Sequence, residues 1–387
     1  MTTPKEFDDI RPYDDEELAA VYDRLIADPQ FRTVVKTIFP TTPFEDVAAR
    51  MKQCKTSMDF QLAFCYGFLK RLVKDASLGC DMDTTTLDTH RRYTFVSNHR
   101  DIVLDSAFLD MLLVDAGFDT TCEIAIGDNL LKTPWVRDLA RVNKSFIVKR
   151  GLAPKDLLMA SVLLSRYMHY AISEKHENLW IAQAEGRAKD SDDRTQKGII
   201  KMLTLGGEGS AIDRLQHLHI VPLSISYERD PCDYLKAREM QLRRDNPHWH
   251  KGPMDDLVSM RTGIMGYKGH IHYHCAPCLD AYLESLREER LNNNALFEKV
   301  CAHIDHEIHF NYRMYPSNYV ALDLLRGTDA YRDHYSDSDR EEFEAYVNQR
   351  VAMVEDLPNK DEAFLRKRLL TMYANPAINY LKAHAEG

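Results

Sequence analysis

The sequence predicts an α/β fold: a mixed sheet with surrounding helices and helical additions at both the N-terminal and the C-terminal end. Three observations carry this expectation. Residues 91–280 alternate strand-like and helix-like segments, as βα units do. Residues 1–90 and 281–387 carry helical spacing instead. The chain of 387 residues, 44% hydrophobic and 28% charged, has the make-up of a globular protein with room for one large domain or two. The expected division is an N-terminal helical region (1–90), an α/β domain (91–280) and a C-terminal helical region (281–387).

The N-terminal region shows helical periodicity over Asp14–Ile26 and Pro43–Met51. Asp59–Lys74 is strongly apolar on one broad face. That face either packs on the main domain or touches lipid. Its basic residues Lys70, Arg71 and Lys74 cluster only at the end, which favours packing. Strands are expected at Tyr93–Ser97, Cys122–Ile126, Ser145–Lys149, Leu179–Ala182, His219–Tyr227 and Gly269–His274, where β-branched and aromatic residues concentrate. A helix is expected from Pro154 to about Ser173, proline being suited to a first turn.

No run of 18 apolar residues occurs, so nothing reads as a spanning helix. The acidic N-terminus lacks the apolar core of a signal peptide. The expected location is the cytoplasm, with peripheral contact on the inner membrane face left open. A net charge of −10 excludes a general nucleic-acid binder. The eight cysteines are scattered and are expected to be reduced thiols.

The chemistry concentrates in Tyr93–Asp105, where a strand turns into an apolar helical pattern. Asn98, His99, Arg100 and Asp101 crowd that turn. In α/β proteins the carboxyl end of a strand is where sites form. A histidine beside a carboxylate can serve as a general base, the carboxylate fixing the ring's tautomer. His99 is that candidate. Asp101 can cap the helix or orient the imidazole, and Asp105, four residues on, shares its helix face.

Three further constellations end on strands. Asn129 follows one strand; Lys149 and Arg150 follow another, and arginine offers a fork of donors for phosphate. Glu185, Gly186 and Arg187 follow a third, with Lys197 opening the next helix. Gly186 permits close backbone approach to a ligand, and Arg187 and Lys197 could bind phosphate at the helix start. The fourth, Ile220–Glu228, reads as a core strand whose Pro222 belongs at an edge or bulge.

In this order the four blocks resemble the glycerolipid acyltransferases, which include glycerol-3-phosphate and 1-acylglycerol-3-phosphate acyltransferases. The resemblance covers roughly residues 90–280. It implies His99 as general base with Asp105 as its orienter, and a glycerol phosphate held by Arg150, Glu185 and Gly186, with Pro222 as the fourth-block proline. It implies acyl-CoA or acyl-carrier protein as donor, a glycerol phosphate or lysophospholipid as acceptor, and no metal or bound cofactor. The family places four residues between histidine and aspartate. Here five separate His99 from Asp105, so Asp101 competes for the orienting role.

Two other readings compete. A metal-dependent hydrolase could use His270, His272, His274, Cys275 and Cys278. A lipid-surface binding module without activity would keep the fold and explain the altered spacing. His303, His306 and His309 read as an exposed helix face. The acceptor, the donor, the chain length and the oligomeric state are not legible.

Overall fold

The computed structural model describes residues 2–252 and 254–386. Helices α1 (Leu18–Ala27), α2 (Pro29–Ile38) and α3 (Phe44–Gln53) come first. Then α4 (Ser57–Phe60) runs through a π-helical segment, Gln61–Tyr66, into α5 (Gly67–Ala76). Residues 1–90, expected to be helical, also supply a strand, β1 (Gly79–Asp83). Its sequence GCDMD lacks the β-branched and aromatic residues that mark strands; parallel pairing along the next-to-edge strand holds it.

The alternating part follows: β2 (Thr94–Ser97), α6 (Leu104–Asp115), β3 (Cys122–Gly127), α7 (Pro134–Val142), β4 (Ser145–Val148), α8 (Pro154–Ser173), β5 (Asn178–Ala182), α9 (Lys197–Leu203), α10 (Ala211–His217) and β6 (Ile220–Tyr227). After α11 (Asp233–Asp245) and α12 (Asp255–Met265) comes β7 (His270–Cys275). The chain continues through α13 (Asp280–Ser285), α14 (Asn293–Phe310), α15 (Pro316–Arg326), α16 (Asp337–Ala352) and α17 (Glu362–Glu386).

The seven strands form one mixed sheet in the order β1-β7-β6-β2-β5-β3-β4. Neighbours are parallel except β6 and β7, which are antiparallel. β2 and β6 are buried along their whole length, as strands covered on both faces must be. On one face Phe95, Trp180 and Ile124 pack beneath α5 and α6. On the other, Val96, Ile181 and Phe146 pack beneath α8, α9 and α14. A separate core, with Ala237, Phe343 and Leu369, joins α11 to α15–α17.

The helix after β2 therefore covers one face and the helix after β5 the other. Between these adjacent strands the carboxyl ends open into a crevice, the position where ligands bind in such sheets.

Pro222 is not at an edge. It lies in β6, paired with Val96 in the interior of the sheet. The backbone on that side faces the segment after β7, since the Pro222 carbonyl accepts from the Ala276 N–H at 3.0 Å. Pairing with β7 starts only at Leu223. The missing proline N–H thus removes no ladder bond.

Candidate active site

β2 ends in a turn that its own side chains fasten. The Asn98 amide donates to the Ile225 carbonyl at 2.9 Å and accepts from the Ile225 N–H at 2.8 Å. A side chain thereby extends the β2–β6 ladder after the backbone has left it. The Ser97 hydroxyl donates to the Asn98 carbonyl at 2.7 Å and accepts from Trp180 Nε1 at 3.0 Å. These bonds hold the residue between strand and helix, His99, in a T-shaped contact with the Trp180 ring, with centroids 5.7 Å apart.

His99 Nδ1 lies 2.8 Å from Oδ2 of the fully buried Asp105. The same oxygen accepts the N–H groups of Arg100 and Asp101 at 2.6 and 3.0 Å. An oxygen already accepting twice is an acceptor toward Nδ1 too, so Nδ1 carries a proton and the neutral ring presents Nε2 as its acceptor. His99 lines a large cavity. Asp101 does different work. Its Oδ1 accepts from the Val103 and Leu104 N–H groups at 2.9 and 2.8 Å, which starts α6. Burial and the neighbouring Asp105 push its carboxyl up.

The turn is also tied to distant helices. Buried Arg100 forms an ion pair of 2.7 Å with Asp193 and lies over the Tyr312 ring. Lys236 of α11 donates to the Arg100 carbonyl at 3.1 Å and pairs with Asp230. Asp193 accepts from the Tyr312 hydroxyl at 2.6 Å, and Asp305 of α14 accepts from the Thr195 N–H at 2.7 Å. Trp180, Asp193, Lys236 and Tyr312 were not legible as site residues. They are a strand tryptophan, a loop acid and two helix-associated residues, and only tertiary packing brings them here.

The cavity, about 1410 Å³, spreads over the carboxyl ends of the strands. Its apolar depth lies beneath α2 and the α4–α5 run, with Phe31, Phe39, Phe60 and Phe64 in the wall. Its polar end gathers Asn129, Lys149, Arg150, Glu185, Gly186 and Arg187 with His99. Arg150 Nη1 pairs with Glu185 at 3.0 Å, so Glu185 orients Arg150. Gly127 makes room for this: a Cβ there would meet Asn129 Oδ1 at 2.4 Å and Arg150 Nε at 2.7 Å. Gly186 adopts φ +78°, a left-handed conformation suited to glycine.

Arg187 is nine-tenths buried, yet among the described residues it makes no hydrogen bond or ion pair, and its Nη1 is enclosed without a partner. Next to it, burial and the charge of Arg187 pull the Lys189 ammonium down to about 7. A buried guanidinium without a partner is costly unless an anion joins it.

Several expected residues are elsewhere. Lys197 pairs with Glu298 at 2.8 Å and Asn294 at 3.0 Å on α14 and is not in the cavity wall; the start of α9 turns it toward α14. Pro222 is also outside the wall, buried in β6. The histidines of β7 do not form a metal set with its cysteines. His270 and His272 share Asp81, His274 faces Asp83, and Cys275 points into the core on the opposite face. The three-ligand grouping among the described residues is His219, Cys278 and Asp280. The Arg91 guanidinium already sits there, 3.0 Å from His219 Nδ1 and 3.2 Å from Asp280 Oδ2. The α14 histidines are not an exposed face either: His303 stacks on Tyr282 and His309 is buried against the Asp193 carbonyl.

Among the described residues no helix is long and apolar enough to cross a membrane. Residues 82–226 match the family model described as Acyltransferase. No curated protein matches the chain by sequence. Among solved structures, the 1-acyl-sn-glycerophosphate (LPA) acyltransferase PlsC from Thermotoga maritima aligns over 74% of this chain and 98% of its own, at 11% identity and a TM-score of 0.32, a likeness too remote to carry weight. The matched segment holds the first three blocks, from the His99 turn onward, and the fourth as far as Ser226. Residues 82–226 therefore resemble an acyltransferase domain.

Proposed function

We propose that the protein moves a fatty acyl group from acyl-CoA or acyl-carrier protein to a hydroxyl of glycerol-3-phosphate or 1-acylglycerol-3-phosphate. The supporting observation is the His99–Asp105 pair, 2.8 Å apart, at the junction of an apolar cavity and a cationic end. His99 Nε2 takes the proton of the acceptor hydroxyl as its oxygen attacks the thioester carbonyl. The carbon–sulfur bond breaks, and the thiolate takes the proton back from the imidazolium. Asp105 stabilises that imidazolium. Arg150, Lys149 and Arg187 hold the acceptor phosphate, the enclosed Arg187 gaining its missing counter-charge. Transfer is direct, with no acyl-enzyme.

Cavity size favours the acylated acceptor. Small-ligand pockets run about 300–1,000 Å³, and 1410 Å³ leaves space for chains from both substrates. Exposed Leu157, Leu158 and Met159 of α8 and Leu257, Val258 and Met265 of α12 stand on two helices that contribute to the cavity wall. We assign them to contact with a lipid surface from which such an acceptor enters. The test is thiol release with acyl-CoA and a panel of acceptors, followed by identification of the product lipid. Release that depends on 1-acylglycerol-3-phosphate is the expected result. Metal-dependent hydrolysis, or no release with any acceptor, would overturn the reading.

A further inference from the structure

The cavity wall includes the polar residues Gln61, Asp110, Thr121 and Ser145 among its apolar ones. From Phe95 of β2 the strand register runs to Trp180, then Ile124, then Ser145, across β5, β3 and β4. Strands stand about 4.8 Å apart, so Ser145 lies roughly 14 Å from β2 along this row. His99 touches the row at Trp180. Trp180, Ile124 and Ser145 all line the cavity. Ser145 is 4% exposed, and among the described residues its hydroxyl has no hydrogen-bond partner.

The other three polar residues are bonded. Asp110 Oδ2 accepts from Gln61 Nε2 at 3.2 Å, and Gln61 Oε1 accepts from the Thr121 hydroxyl at 2.6 Å. Lys144, beside Ser145, donates to the Thr121 hydroxyl at 3.1 Å and pairs with Glu177 at 2.7 Å. Gln61 begins the π-helical segment, a helix irregularity common at functional sites. Gln61, Asp110, Thr121 and Lys144 satisfy one another, so among these groups the Ser145 hydroxyl is the one left facing the cavity without a partner, which burial makes unfavourable until a ligand supplies one.

We propose that this polar group recognises a hydroxyl carried part-way along one acyl chain, with Ser145 and Asp110 as its partners. The inference rests on the acyl-transfer reading and deepens it: the hydroxylated chain belongs to the donor or to the acylated acceptor. Between His99 and Ser145 the chain crosses Trp180 and Ile124, which reward only hydrocarbon.

The test measures initial rates with four pairings: plain or hydroxylated acyl-CoA against plain or hydroxylated 1-acylglycerol-3-phosphate, with the hydroxyl placed mid-chain. One arm should exceed the plain pair about three- to tenfold, the scale of one net hydrogen bond. Which arm responds identifies the substrate that carries the hydroxyl. Ser145→Ala should bring that ratio back toward one, and the ratio, taken within each protein, is insensitive to loss of folded enzyme. Equal rates in all four pairings would overturn this proposal alone. No transfer in any pairing would overturn the acyl-transfer reading, and this proposal with it.

Discussion

Oδ2 of Asp105 serves Nδ1 of His99 at 2.8 Å while also closing the turn through the N–H groups of Arg100 and Asp101. The carboxylate thus has both a chemical and a structural duty. Asp105→Asn should lower turnover about 10²-fold or more, because the amide cannot fix the tautomer and stabilise the imidazolium. Asp101→Asn should keep most turnover, since asparagine also starts a helix well. Steady-state rates and melting temperatures of both variants check this. An essential Asp101 beside a dispensable Asp105 would reverse the assignment.

His99→Ala should lose about 10²–10⁴-fold in turnover, the range of a positioned general base. The melting temperature should move little, because the ring makes a T-shaped contact with Trp180 and its loss leaves the Asn98 clamp intact. Near-normal thiol release would remove His99 from the mechanism.

Arg187→Met should do two opposite things. It should raise the acceptor KM, as loss of a phosphate contact does. It should also raise the melting temperature of the unliganded protein, by replacing an unpartnered buried cation with hydrocarbon. A fall in stability would show that Asp101 and Asp230 already satisfy this guanidinium at longer range.

Asp110 gives a pH signature. Burial pushes its carboxyl up to about 7, against about 3.9 for a solvated aspartate. Between those values the folded state binds more protons than the unfolded one. The favourable contribution is therefore present in acid and is lost as pH rises through about 7. Denaturant midpoints of the wild type should fall relative to Asp110→Asn from pH 5 to pH 8. A constant difference would mean the carboxyl stays ionised throughout.

Leu158→Asp combined with Met265→Asp should weaken co-sedimentation with phospholipid vesicles and leave the melting temperature within a few degrees, because both side chains are exposed, 54% and 71%. Undiminished vesicle binding would place the lipid contact elsewhere.

How far the sequence reaches can be judged from single residues. Six strands announced themselves through runs such as TFVS and IVPLSISY. β1 did not, because GCDMD is a strand only by virtue of its partner β7. The His99 turn was legible since polar residues cluster between two periodic patterns. The fate of Lys197 was not, because α14, a hundred residues later, supplies its partners. Likewise the spacing of β7 histidines suggested ligands, while strand alternation sends Cys275 to the other face. Pro222 looked like an edge residue because nothing local tells which side of a strand has already lost its neighbour.

The loop carrying Asp190–Thr195 is fastened by Tyr312, Asp305 and, from the last helix, by Asn375 and Asn379, which donate to the Asp190 carbonyl at 2.8 Å and to Asp192 at 3.1 Å. The same loop holds Arg100 through Asp193. Segment 82–226 is accordingly not autonomous. Excised, it would keep the His99 turn and lose the braces that fix the loop holding Arg100. Shortening the chain from its C-terminus should then register as weakened acceptor affinity, far from any residue that meets the acceptor.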